Sequence, residues 1–342
     1  MTSISRRKFI ASTAAAAVSA ATVARSQAGS TQTMPPSTPA FRTTLHKALI
    51  QQKPTEENLR PIKEAGFEGF ESGVLPPAEA ARARKTADAL GLRIHSVLRG
   101  WAAFNSPKKE EVDQSFALTE DALRSAQIQG ADAVLAVPCR ISAITAGGFG
   151  QKDGILMPRP WEFQIEFDQK TGHLTRVVHG DNARYADYIK AQNHAIDSST
   201  VMVKRLIPLA EKTGVILTLE NVWNHLWVTP AHFRHFVASF QSEWVQAYFD
   251  IGNHVKYGPP EAWILTLGSL LKKVHVKDFR LNPADADGQG SFVNIRDGSV
   301  RWPIIRTALD EIGYNGWLTI EGGTNITPEE HGRRLDLIVK GL

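Results

Sequence analysis

From residue 41 onward the apolar positions fall into one repeated unit. A stretch with helical periodicity runs into a glycine, and a short continuous apolar run follows almost at once. IKEAG-FEGFE, ADALG-LRIHS, AQIQG-ADAVLAV, AEKTG-VILTLE and DEIGYNG-WLTIE are the instances. A glycine just past a helix takes the left-handed position at little cost, and an apolar run without alternation reads as a strand covered on both faces. The units predict eight strands, centred near 45–50, 66–71, 92–97, 132–137, 215–220, 246–250, 272–276 and 316–321. Helices are predicted near 55–64, 78–90, 109–128, 182–212, 229–241, 259–270 and 302–312, with an eighth near 327–339. Eight strand–helix units favour a closed α/β (β/α)8 barrel over an open doubly wound sheet. No glycine-rich dinucleotide fingerprint follows the first strand, which also counts against a Rossmann fold.

Two connections break the rhythm. The first, an insertion near 141–181, contains WEFQIEFDQKTGHLTRVV, which alternates about Lys170-Thr171-Gly172 and predicts a β-hairpin. The second, 279–301, follows the seventh strand. Both lie on the carboxyl-end face, where barrel active sites sit. They read equally as a lid or as a surface or oligomer-contact elaboration.

The chemistry is concentrated at strand ends. VILTLE ends in Glu220, WVQAYFD in Asp250 and GWLTIE in Glu321, while LKKVHV carries His275. In a parallel barrel these side chains converge at one rim. Three crowded carboxylates would raise one another's pKa unless a cation neutralised them. One imidazole and three oxygen donors suit Mn²⁺, with Mg²⁺ or Co²⁺ as alternatives, better than a thiolate-seeking metal. Each carboxylate taken singly could instead be an ordinary buried ion-pair partner. Glu71 and His95 end the second and third strands and face the same cavity, so they could bind a polar substrate or complete a hydrogen-bond network. Lys277 shares a strand face with His275 and could reach a substrate oxygen or pair with Glu71. Trp101, Trp223 and Trp227 could stack on a substrate or cover the core. Arg280 could orient a polar substrate.

Bulk properties narrow the classes. The chain has 342 residues, 42% hydrophobic and 22% charged, ordinary values for a globular protein. Its pI near 9.1 comes from the first thirty residues, which carry Arg6, Arg7, Lys8 and Arg25 and no acid. Without them the basic residues fall from 39 to 35 and match the 35 acidic ones. Net charge therefore gives no support to nucleic-acid binding or to membrane insertion of the mature chain. Residues 1–30 read as a twin-arginine signal peptide, with SRRKFI before an Ala-rich stretch and Ser26-Gln27-Ala28 as a cleavage site. This predicts a partnership with the twin-arginine export machinery and a periplasmic or secreted location. Residues 31–40 read as a linker, and 41–342 as the barrel. The lone Cys139 excludes an intramolecular disulfide. A homo-oligomer is left open.

GFEGFE, LTLEN, FDIGNHVKYG, VHVKDF and LTIEGG stand in order at successive strand ends. Together they resemble the xylose isomerase-like sugar phosphate isomerase/epimerase family, across about 41–342. The resemblance implies a TIM barrel with one divalent metal held by Glu220, Asp250, His275 and Glu321. It also implies that Glu220 and Glu321 act as acid and base on the carbon beside a carbonyl, one removing a proton and the other returning one. The family often has His three residues after the strand-six aspartate; here Asn253 stands there, followed by His254. The histidine role has either moved to His254 or is missing, and His254 is then a surface or core residue. Asp297 resembles a family loop acid.

The resulting expectation is a divalent-metal-dependent sugar isomerase or epimerase, acting on a keto-sugar or related polyol through an enediolate. A metal-dependent dehydratase like inosose dehydratase and a non-catalytic sugar-binding barrel are the alternatives. A phosphodiesterase like endonuclease IV would need more histidine ligands and a basic groove, and the charge-neutral mature chain lacks one.

Overall fold

A computed structural model describes residues 41–145, 148, 153–285, 289–323 and 325–342. The export segment and linker expected at 1–30 and 31–40 lie outside the described residues. The strands are β1 (Leu45–Ile50), β2 (Gly69–Gly73), β3 (Arg93–Trp101), β4 (Ala133–Val137), β5 (Ile216–Glu220), β6 (Val245–Asp250), β7 (Leu271–Val276) and β8 (Gly316–Ile320). All pair in parallel in chain order, and β8 closes onto β1. The helices between and after them are α1 (Glu56–Glu64), α2 (Pro77–Ala89), α3 (Lys109–Gln129), α4 (Ala186–Thr213), α5 (Pro230–Ala238), α6 (Pro260–Leu267), α7 (Trp302–Glu311) and α8 (Pro328–Val339). The fold is the expected (β/α)8 barrel.

The helix stops follow from the sequence. Gly130 and Gly214 end α3 and α4 at φ of 73° and 68°. A side chain there would meet the left-handed penalty.

Period-two alternation sorts the strands into two faces. Leu217, Leu219, Phe249, Val274, Val276, Leu318 and Ile320 point outward into the apolar core under the helices. Each such burial contributes about 2 kcal/mol. The outward rows thus hold the barrel together, and the inward rows can carry polar groups. Inward stand Thr218 and Glu220, Tyr248 and Asp250, Lys273 and His275, with Thr319 on β8. Leu135 and Val137 pack on Tyr248 in a small separate apolar cluster inside.

Both long connections form hairpins. Phe163–Phe167 pairs antiparallel with Leu174–Val178, as expected, and the turn is held by Asp168 Oδ1, which accepts from the Lys170 and Thr171 N–H groups at 2.8 Å each. This hairpin leans on α4 and α5: His173 reaches Asp197 at 2.7 Å, and His232 bonds the Gly172 carbonyl at 2.8 Å. The second hairpin, Asp278–Leu281 with Gly290–Val293, has no alternation to announce it. Its anchor is the buried Asp278 carboxylate, which accepts N–H bonds from Phe279, Arg296, Gly298 and Val300 and from the Trp302 indole. A Cβ on Gly298 would lie 2.0 Å from Asp278 Oδ1, so the loop closes only around a glycine there. Among the described residues no helix is long and apolar enough to cross a membrane.

Candidate metal centre and active site

Glu220, Asp250, His275 and Glu321 come together at the carboxyl rim. One ligand atom from each lies within 4.8 Å of all the others. The register explains why: Asp250 pairs with His275 across β6 and β7, Tyr248 pairs with Glu220 across β5 and β6, and Glu321 is one residue past Ile320, the partner of Val276. The first three are buried, while the Glu321 side chain is 31% exposed.

Each of the four has one buried atom that makes no hydrogen bond: Glu220 Oε1, Asp250 Oδ2, His275 Nδ1 and Glu321 Oε2. His275 Nδ1 lies 3.0 Å from Glu321 Oε2 and 3.5 Å from Glu220 Oε1. Lys277 Nζ lies 3.0 Å from Glu321 Oε2 and 3.4 Å from Asp250 Oδ2. These are ion-pair approaches without hydrogen-bond alignment. Buried polar atoms ordinarily find partners, and four orphans converging on one point fit a shared cation. The donor set of one imidazole nitrogen and three carboxylate oxygens fits a divalent ion of the Mn²⁺, Mg²⁺ or Co²⁺ type.

The electrostatics point the same way. Burial raises the pKa of Glu220, against the pull of His275. Burial, with Glu321 and Glu220 adding to it against Lys277, pushes Asp250 up to about 8. Burial would lower His275, but Glu71 and Glu321 outweigh it and hold the ring protonated well above its ordinary range. Burial would raise Glu321, yet His275 and then Lys277 hold it far below the usual carboxylate range. At neutral pH the cluster on its own thus retains protons on Asp250 and His275. A cation would replace those protons, since ligands bind metal in their deprotonated forms.

The surrounding residues sort themselves by geometry. Glu71 is fully buried behind His275, with Oε2 2.8 Å from Nε2. It orients the imidazole, as carboxylates behind metal-binding histidines do, and keeps no surface for the sugar contact expected of it. Tyr248 backs the same ring at 4.4 Å. His95 is also enclosed: Nε2 lies 3.0 Å from Thr319 Oγ1, and the ring stacks on Trp317 at 4.7 Å. Burial, then the nearby Lys273 charge, lowers its pKa well below the usual value, as befits a core histidine rather than a sugar ligand.

His254 likewise points away from the site. Asn221 Nδ2 approaches its Nε2 at 2.6 Å, Trp263 packs on it at 4.1 Å, and burial holds its pKa at about 3. The expected substrate role is corrected to a core role, and its neighbour Asn253 takes the place at the site. The Asn253 N–H donates to Asp250 Oδ1 at 2.7 Å, and its Oδ1 accepts from Lys277 Nζ at 3.4 Å. Lys277 pairs with Asp250 and Glu321, not with Glu71 as one reading had it.

Trp101 is 47% exposed and lines a separate cavity of about 380 Å³, with Arg140 4.9 Å above its ring; none of the four clustered residues lines that cavity. The sugar contact expected of it at the cluster is therefore not where the structure places it. Arg280 does line the cavity beside Glu321, and its guanidinium is anchored on the Asp297 carbonyl. Trp223 donates to the Asn253 carbonyl at 2.7 Å, whereas Trp227 is buried against Phe236. Asp297 pairs with Arg334 at 2.8 Å. Sequence reasoning missed Asn253 as a site residue, although its position three residues after Asp250 was the available signal. Phe292, also in that cavity, carried none.

The cluster stands at the carboxyl-end face, where (β/α)8 barrel enzymes carry their active sites. The model of the xylose isomerase-like TIM barrel family matches residues 159–337, more than half of the chain, and the chain belongs to that family. No functionally curated protein matches it in sequence. Among solved structures, it is similar to a xylose isomerase domain protein from Planctomyces limnophilus, with a TM-score of 0.60 and 15% identity over 88% of this chain and 97% of that one. A 3-keto-D-glucoside 4-epimerase from E. coli gives 0.61 and 16% over 86% and 99%. A D-tagatose 3-epimerase-like protein gives 0.62 and 17% over 86% and 98%. At such identities the likeness is one of fold.

Proposed function

We propose that this protein is a divalent-metal-dependent isomerase or epimerase of a carbonyl sugar. The observation that carries this reading is the set of four converging donors, whose one exposed member, Glu321, opens on a cavity of about 500 Å³. The epimerases among its structural neighbours support it. A divalent cation held by Glu220, Asp250, His275 and Glu321 would supply Lewis acidity toward a substrate carbonyl. The chain's own residues do the rest. Glu321, held ionised beside His275 and Lys277, accepts the proton from the carbon next to the carbonyl. In this reading Glu220, the other glutamate of the cluster, returns a proton to that carbon. Glu71 fixes the His275 ring from behind, and Asn253 and Lys277 fix Asp250. Export through residues 1–30 remains part of the proposal and is read by the location of the full chain in cells.

NMR of Mn²⁺-loaded protein with candidate keto-sugars in deuterated buffer tests the chemistry. Exchange at the carbon beside the carbonyl, with formation of an epimer, is the expected result, and loss of water would mark a dehydratase. Glu321→Gln should slow turnover about 10³-fold while leaving the circular dichroism spectrum unchanged. Turnover that survives the substitution would sink the acid–base assignment.

A further inference from the structure

The charges around the cavity beside Glu321 pair off one by one, with a single exception. Lys277 is engaged on every side: Nζ lies 3.0 Å from Glu321 Oε2, 3.4 Å from Asp250 Oδ2, 3.4 Å from Asn253 Oδ1 and 5.0 Å over the Phe292 ring. Asp297 is held by Arg334 at 2.8 Å, and Arg334 shares Glu330 with Arg333. Asp278, beneath the hairpin, is taken up by five N–H groups. Arg280 is the exception. It lines the same cavity of about 500 Å³, and among the described residues no carboxylate forms an ion pair with it.

Its guanidinium is nevertheless fixed. Nε and Nη2 donate to the Asp297 carbonyl, a neutral acceptor, at 3.2 and 2.6 Å. They occupy the side edge of the fork and leave its end edge, with an N–H on Nη1 and another on Nη2. The backbone beneath is fixed as well. The Leu281 N–H donates to Ser299 Oγ at 3.1 Å, and a Cβ on Gly290 would lie 1.9 Å from the Arg280 carbonyl oxygen, so the facing strand fits only with glycine there. An oriented fork with two parallel N–H groups matches the two oxygens of a carboxylate and loses little freedom in holding it.

The charge balance narrows the ligand further. With a divalent ion in place, the carboxylates of Glu220, Asp250 and Glu321 are offset by that ion and Lys277. Behind His275, Glu71 and Asp132 are set against Lys272 and Lys273. One positive charge is left over, on Arg280. A carboxylate brings one negative charge, whereas a phosphate ester brings about 1.5 to 2 at neutral pH.

We infer that the substrate carries a carboxylate, which Arg280 holds by the free edge of its guanidinium while the carbonyl end lies toward Glu321. This rests on the proposed isomerase or epimerase reading. The substrate class is a keto-sugar acid. The carboxylate takes no part in the proton transfer and fixes which way round the molecule lies.

Calorimetric titration of the full Mn²⁺-loaded chain tests this with matched pairs, D-fructuronate against D-fructose and D-tagaturonate against D-tagatose. At least one acid should bind about tenfold more tightly than its neutral partner, an advantage that shrinks as salt is raised. Arg280→Gln should remove most of that advantage while costing the neutral ketose much less, and Arg280→Lys should retain part of it. Equal affinities within both pairs would overturn the inference. So would an advantage that survives Arg280→Gln, since the carboxylate would then be going to the metal. Tighter, Arg280-dependent binding of D-fructose 6-phosphate than of either acid would overturn the carboxylate class. Deuterium exchange at the carbon beside the ketone separates the two proposals. An Arg280-dependent preference without any exchange would uphold the carboxylate site and sink the isomerase reading. Exchange on the neutral ketoses without the preference would do the reverse.

Discussion

Asp132 and Asp250 stand at opposite rims of one barrel and are pushed in opposite directions. At the amino rim, burial would raise Asp132, but Lys273 and Lys272 outweigh it and lower its pKa. Their ammonium groups lie 2.6 and 3.3 Å from its carboxylate. At the carboxyl rim, Asp250 has one lysine and two neighbouring glutamates, and it rises to about 8. Cavities of similar size open at both rims, about 480 Å³ beside Asp132 and about 500 Å³ beside Glu321. Size does not distinguish the ends; charge balance does. Cations of the chain already outnumber the acid below, and above the acids outnumber the fixed cations, leaving room for one from solution.

The sharpest way to break this comparison is pH. Asp250 has a folded pKa above its unfolded value of about 4, so without metal its contribution to stability is full below that pH and is lost as pH climbs to about 8. Asp132 is depressed, so its contribution is present above about pH 4 and is lost only as pH falls through its folded value. A cation that replaces the protons of Asp250 and His275 should release about two protons on binding near neutral pH. The rise in Tm caused by saturating Mn²⁺ should therefore widen from about pH 5 to about pH 8. A rise that stays constant over this interval would contradict the difference between the rims.

Paired substitutions sharpen the contrast with a smaller effect. Glu71→Gln should weaken Mn²⁺ binding about tenfold or more, because it loosens the imidazole from behind, and should change Tm little. Asp132→Ala should leave Mn²⁺ affinity alone. It should cost about 2 kcal/mol of stability, since Lys273 would stay buried without its carboxylate, a loss moderated because Asp132 is itself 46% exposed. Titration calorimetry and urea denaturation read the two effects separately. Loss of metal affinity in Asp132→Ala would show that the rims are not independent.

The parts of the molecule legible in the sequence were those encoded locally. A strand whose outward row is apolar and whose last inward residue is a carboxylate can be read without knowing its neighbours, and Glu220, Asp250 and Glu321 were found that way. The glycine stops after α3 and α4 belong to the same local grammar. Glu71 and His95 were harder because the strand register shifts between Phe70 and Glu71 on β2. Ring closure then turns Glu71 onto His275 and His95 onto Thr319, contacts between residues more than 200 positions apart. Asn253 and His254 are adjacent, and only the turn after β6 decides that the first faces Asp250 while the second packs against Trp263. The 278–293 hairpin owes its shape to Asp278, a carboxylate that gathers N–H groups from up to 24 residues downstream and so leaves no periodic trace.

The central claim is that one cation sits among Glu220, Asp250, His275 and Glu321. An anomalous difference map from crystals grown with Mn²⁺, collected near the manganese edge, tests it most directly. The account predicts a single strong peak within bonding distance of all four side chains and none beside Asp132. A map with no peak there, or with manganese bound by only one of the four, would contradict it.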